Sequence, residues 1–113
     1  MKVLYIAAPY RTKTICSLQQ NIHEARLMAQ YYWTKNYIVI CPHLNSANMD
    51  GLVPDERFLS GCLHILSLCD CMAMHPDWEK SAGCIKEHDQ HRELKKEIFY
   101  PTWDEIMTVI DYL

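Results

Sequence analysis

Apolar residues fall along this chain in short runs and helical stripes that alternate. Residues 2–8 form an apolar run ended by Pro9, the pattern of a buried strand. Over residues 18–35 the apolar positions are Ile22, Ala25, Leu27, Met28, Ala29, Tyr32 and Trp33. That spacing predicts a helix, with Thr14 or Ser17 as its cap and Asn36 suited to the position just past its end. Residues 37–41 predict a second buried strand, stopped by Pro42, and residues 43–54 read as a long polar loop. A second helix is predicted over 55–68, from Phe58, Leu59, Cys62, Leu63, Ile65 and Leu66. Residues 69–74 predict a third strand, 81–95 a third helix with a polar outer face, and 98–100 a short fourth strand. Thr102 is placed to cap a last helix over 103–113.

Strands alternating with helices imply a parallel sheet covered on both faces. Ligands of such folds bind beyond the carboxyl ends of the strands. Three stretches follow strands and so belong to that edge: Ala8, Pro9, Tyr10 and Arg11; Pro42, His43 and Asn45; and the stretch from His75 to Gly83.

The length of 113 residues fits one domain, residues 1–113, around one core. A net charge of −3 argues against a partner that is a nucleic acid polymer. No apolar run has the length of a membrane span. The apolar N-terminal run is short and continues into Pro9, Tyr10 and Arg11 without a cleavage pattern, so a cytoplasmic protein is expected. The six cysteines sit in apolar segments, as reduced thiols do in that compartment. Cys69 and Cys71 alternate with Asp70, which would turn both thiols to one side of the sheet. No metal is expected. There is no C-x-x-C pair, and His88 and His91 have no evident third ligand; both read as solvated or capping side chains. Neither G-x-G-x-x-G nor the Walker A pattern occurs, so no dinucleotide cofactor or P-loop is expected.

The stretch Ser81-Ala82-Gly83-Cys84-Ile85-Lys86-Glu87 carries the most chemistry. Ser81 is a good N-cap, and the free N–H groups of a first helical turn attract anions. Gly83 leaves room for a ligand beside the backbone, and Glu87 lies one turn further on the same face. An ordinary capped helix with a solvated Glu has the same spacing. Arg11 offers a fork of donors to a phosphate, and Tyr10 can stack on a base or bond a sugar. His43, Asn45, Asn48, Met49 and Asp50 can read a base or cover a site, or simply make turns. Trp78 either packs over a ligand or closes the core edge.

Taken together, these residues resemble the nucleoside 2-deoxyribosyltransferase-like superfamily, in particular its short phage and bacterial members. The resemblance rests on Tyr5-Ile6-Ala7-Ala8-Pro9-Tyr10-Arg11, Asn21 and Ala25, and Cys41-Pro42-His43. It also rests on the segment from Phe58 to Asp70 and on Trp78-x-x-Ser81-x-Gly83-x-x-x-Glu87. It implies a flavodoxin-like (Rossmann-like) three-layer α/β sandwich with a parallel sheet of four to five strands. It also implies chemistry at the N-glycosidic bond of a nucleoside or nucleoside 5′-monophosphate. Glu87 would be the nucleophile at the anomeric carbon, and Ser81 would contact the 5′-phosphate. Tyr10 is the second candidate catalytic residue. Ala8, Pro9, Arg11, His43, Asn45, Trp78, Ser81 and Gly83 are the candidate ligand contacts. No cofactor is implied, and a homodimer or larger assembly is, with Tyr31, Tyr32 and Trp33 able to supply an interface or to belong to the core.

The chain departs from the family at Cys62, where an Asp is usual. A thiol replaces that carboxylate poorly at neutral pH, and losing a general acid costs about 10²–10⁴-fold in rate. Asp50, Asp55 or Glu56 would compensate only if the long loop folds over the site. A binding protein that holds a nucleotide without cleaving it is the alternative, and a structural protein on a borrowed fold a third reading.

Overall fold

In the computed structural model, which describes residues 1–110, four strands alternate with helices. The strands are β1 (Val3–Ala7), β2 (Ile38–Ile40), β3 (Cys71–Met74) and β4 (Glu97–Phe99). The helices are α1 (Ile15–Trp33), α2 (Pro42–Asn45), α3 (Asp55–Ser67), α4 (Ala82–Glu93) and α5 (Trp103–Ile110). The final three positions of the predicted last helix, 111–113, lie outside the described residues. All strand pairs are parallel, in the order β2-β1-β3-β4. The fold is thus a three-layer α/β sandwich. Its strand order is that of the flavodoxin-like class, whose switch point lies between β1 and β3.

Two cores follow from the pleat of β1, which is buried on both faces and therefore apolar throughout. Leu4 and Ile6 point to one face and pack with Ala25, Met28 and Tyr32 of α1 and Ile106 of α5. Tyr5 and Ala7 point to the other and pack with Leu66 of α3, Met72 and Met74 of β3 and Cys84 of α4. The helix ends follow local chemistry. The Thr14 hydroxyl accepts from the Ser17 N–H, and the Ser81 hydroxyl from the Cys84 N–H. Thr102 and Glu105 cap each other reciprocally. Asn36 takes the left-handed conformation (φ 71°) that ends α1.

Three expectations are corrected. The polar loop after β2 begins with a short helix, α2, because Pro42 both stops the strand and suits the first turn of a helix. Cys69 and Cys71 lie on opposite faces of the sheet, Cys69 with the α3–α4 core and Cys71 with the α1–α5 core. The strand begins only at Cys71; Cys69 still belongs to the turn that ends α3, so the two-residue period does not reach it. His88 and His91 are buried rather than solvated. They continue the inner stripe Cys84, Glu87, His88 and His91 of α4, whose polar types hide it from an apolar-periodicity reading. His88 stacks on Trp78 and bonds the Tyr100 hydroxyl, while His91 reaches the Glu97 carbonyl. All six thiols are free. Among the described residues, no helix is long and apolar enough to cross a membrane.

Candidate functional site

A pocket of about 400 Å³ opens at the carboxyl end of β1, on the α3–α4 face of the sheet. Its floor is Tyr5, Cys62 and Glu87; one wall is the N-terminus of α4, and another is Phe58 and Leu59 of α3. Residues 8–11 and the segment ahead of α3 complete the rim.

Glu87 projects from the second turn of α4 and is only 8% exposed. Its carboxylate accepts a hydrogen bond from the Tyr5 hydroxyl through Oε2. Among the described hydrogen bonds none uses Oε1, and the residue lines the pocket, so one carboxyl oxygen is oriented and the other is free. Burial lifts the Glu87 carboxyl to about 7, against the opposing effect of the Tyr5 hydrogen bond. At neutral pH it therefore divides between an ionised, nucleophilic form and a protonated one. Burial, and then the Glu87 charge, hold the Tyr5 phenol far above its ordinary value. Tyr5 is thus a donor and not a base. Burial also raises the Cys62 thiol, more than its Tyr5 hydrogen bond lowers it, so Cys62 stays protonated at neutral pH.

The start of α4 has the expected form. Ser81 caps it, and among the described hydrogen bonds none uses the N–H of Ala82 or Gly83, both of which line the pocket. A Cβ built on Gly83 would meet only the Ser81 hydroxyl, at 3.9 Å. Packing within the chain therefore does not require this glycine, while clearance for a ligand would. Lys80 adds an exposed cation at the same end, 3.7 Å from Asp77.

The loop after β1 is pinned from two sides. Asn21 donates to the Tyr10 carbonyl at 3.1 Å, and the His43 Nε2 is 3.0 Å from the Pro9 carbonyl. Burial lowers His43, which suits a neutral ring that donates from Nε2. Tyr10 and Arg11 line the pocket with their polar ends bonded to carboxylates. The Tyr10 hydroxyl donates to Asp50 at 2.6 Å, and Arg11 is shared between Asp50 at 3.1 Å and Asp55. Asp50 of the long segment and Asp55 and Glu56 at the start of α3 all line the pocket. The hydroxyl at Glu87 is that of Tyr5, not Tyr10.

Of the sequence candidates, Ala8, Pro9, Tyr10, Arg11, His43, Cys62, Ser81, Gly83 and Glu87 converge on this pocket. Asn45 is exposed at the end of α2 and Trp78 closes the core edge against His88; neither lines it. Tyr5 is the pocket residue at Glu87 that the sequence hides, since it sits inside an apolar strand run. Its signal was a hydroxyl in a run otherwise free of polar atoms. Among the described residues, no group of three His, Cys, Asp or Glu side chains is placed to hold a metal ion.

The molecule is thus a parallel α/β domain whose switch point brings together a buried carboxylate and a capped helix start. The chain belongs to the family described as domain of unknown function DUF7768, whose model matches residues 2–101. Comparison with curated proteins finds no match.

Proposed function

We propose that the protein cleaves or transfers at the N-glycosidic bond of a nucleoside 5′-monophosphate, the 2′-deoxy form included, with Glu87 as nucleophile. The observation that carries this reading is the Glu87 carboxyl, buried on the pocket floor with one oxygen held by Tyr5 and the other free. The 5′-phosphate takes the free N–H groups of Ala82 and Gly83 beside Ser81 and Lys80. The ionised carboxylate attacks the anomeric carbon, the carbon–nitrogen bond breaks, and the base leaves with the electron pair and takes up a proton. Water or a second base then opens the glycosyl ester. Tyr5 gives up part of its hydrogen bond as the carboxylate charge is consumed and regains it when the ester opens.

The test is incubation with the common deoxynucleoside monophosphates and chromatography of the released base. Wild type is expected to release base and Glu87→Gln none; equal release from both defeats the reading. The step needs the ionised carboxylate, so the rate should rise with pH through about 7.

Cys62 favours a second reading, binding without cleavage. The pocket floor holds a protonated thiol where a general acid would speed departure of the base. Calorimetric binding with the nucleotide recovered intact supports that reading. A cytoplasmic homodimer or larger assembly belongs to the same proposal. Of the three aromatics named for an interface, Tyr32 packs in the core and Trp33 is 55% exposed at the end of α1, as an interface aromatic would be. A monomer by sedimentation at micromolar concentration removes the assembly.

A further inference from the structure

Arg11 is the pocket's second cation, and it is already occupied. Its guanidinium lies against Asp50, on the segment between α2 and α3, and against Asp55 at the start of α3. Two carboxylates on one guanidinium leave that rim net negative. The segment itself, residues 46–54, is fastened to the body of the protein by polar groups. The Tyr10 hydroxyl donates to Asp50 and accepts from the Asn48 N–H at 3.2 Å, and Gln19 donates to Asn48 at 2.9 Å. Its large apolar side chains do not hold it down: Met49 is 47% exposed and Leu52 74% exposed. Asn48 (φ 65°) and Gly51 (φ 83°) turn the backbone sharply on either side of Asp50 and present its carboxylate to the loop after β1.

We infer that residues 46–54 form a strap latched across the pocket rim by Asp50, and that an anionic phosphate ligand releases it by taking Arg11 from that carboxylate. The inference rests on the proposed phosphate ligand, extended here to Arg11, which lines the same pocket as Ala82 and Gly83, but not on Glu87 chemistry. Exposed ion pairs contribute little each, so the exchange is within reach of one phosphate dianion. Lifting the strap uncovers little apolar surface, because Leu52 is largely in water and Met49 and Val53 are only partly covered. By linkage, a ligand that must open the latch binds more weakly than one that finds it open. The strap is therefore an autoinhibitory contact that sets phosphate affinity.

The test uses the whole chain, with inorganic phosphate and a deoxynucleoside monophosphate as probes, calorimetry for affinity, and hydrogen exchange for the strap. Phosphate added to wild type should speed exchange in residues 46–54. Asp50→Asn keeps an acceptor for Tyr10 but drops the charge. It should bind phosphate about threefold to fivefold more tightly and speed exchange of the ligand-free strap by a similar factor, the Tyr10 and Gln19 bonds remaining. Arg11→Ala should also free the strap yet bind phosphate several-fold more weakly. These opposite affinities, with the same change in exchange, separate a latch from a merely structural ion pair. Phosphate protection of the strap in wild type, or weaker binding by Asp50→Asn, overturns the inference. Absence of phosphate binding in both wild type and Asp50→Asn overturns the latch and the phosphate subsite together. In that event Glu87-dependent release of base from an unphosphorylated nucleoside still upholds the glycosidic reading. Phosphate binding with the expected pattern but no base release leaves the latch standing and removes the catalysis.

Discussion

Each face of the sheet pairs a carboxylate with a polar side chain, the half-buried Glu24 with the buried His75 and the buried Glu87 with Tyr5, and the two pairs do opposite things. On the α1–α5 face His75 is 3% exposed, edge-on to Trp103. Its Nδ1 accepts from the Asp77 N–H at 2.9 Å, which places the ring proton on Nε2, 2.8 Å from the Glu24 carboxylate. Both ring nitrogens are used. On the α3–α4 face Glu87 bonds Tyr5 through one oxygen and opens on the pocket with the other. The first pair is closed and holds the turn after β3. The second is left half-satisfied beside space for a ligand. A structural polar group spends its bonding capacity on the protein, and a functional one keeps some in reserve.

The largest effect that tests this contrast is at Glu87. Glu87→Gln should lower turnover by about 10⁴-fold or more, measured as base release. The same change should stabilise the fold above neutral pH. A carboxyl raised to about 7 in the folded protein takes up its proton more readily there than in the unfolded chain. Its contribution is therefore most favourable below the unfolded value and is lost as pH rises from there through about 7. Removing it should gain on the order of 2–3 kcal/mol at pH 8 and little at pH 4, by denaturant titration. A variant less stable than wild type at pH 8 contradicts the reserve ascribed to Glu87.

Tyr5→Phe comes next. Without the donor that favours the charged form, the Glu87 carboxyl should rise further, so the acid limb of the rate profile moves to higher pH. Turnover should fall about 10–100-fold, within the scale of losing one oriented donor. An unmoved acid limb would show that Tyr5 does not act through Glu87. Gly83→Ala is smaller and splits two readouts. The fold should be unchanged or up to about 0.5 kcal/mol more stable, because helical alanine is favoured over glycine. Nucleotide affinity should drop about tenfold, since the methyl group enters the space a phosphate would use. Equal affinity would move the phosphate away from α4. The smallest effect is expected at the closed pair. Glu24→Gln keeps an acceptor for His75 and should cost about 1 kcal/mol in stability with turnover within twofold. A large loss of turnover would erase the distinction between the faces.

Particular elements show how far the chain could be read before its fold was seen. Ser81, Gly83 and Glu87 were legible, because capping, clearance and one-turn spacing are local rules and α4 obeys them. The convergence of residues 8–11, Pro42-His43 and the α4 start followed from strand-helix alternation, which places them all on one sheet edge. Tyr10 and Arg11 were legible as pocket residues but not in their bonding. Their partners Asp50 and Asp55 lie 40 and 44 positions away, and no local rule pairs them. For Trp78 the core-edge reading is the one of the two that the packing bears out, while the burial of His88 and His91 is hidden because the inner stripe of α4 is made of polar types.

By itself the sequence determined the four strands and the four longer helices in their order, the parallel sheet and the helix start that faces the pocket, but not the short α2. Those depend on periodicity, caps and chain-breaking residues within a few positions of one another. Only the tertiary structure decided which polar groups meet. It set Tyr5 rather than Tyr10 on Glu87, and it spent Arg11 on Asp50 and Asp55. It also put Cys69 and Cys71 on opposite faces. Burial and hydrogen-bond partnership are properties of packed neighbours distant in sequence, and they decide whether a carboxylate is a solvated charge or a poised one.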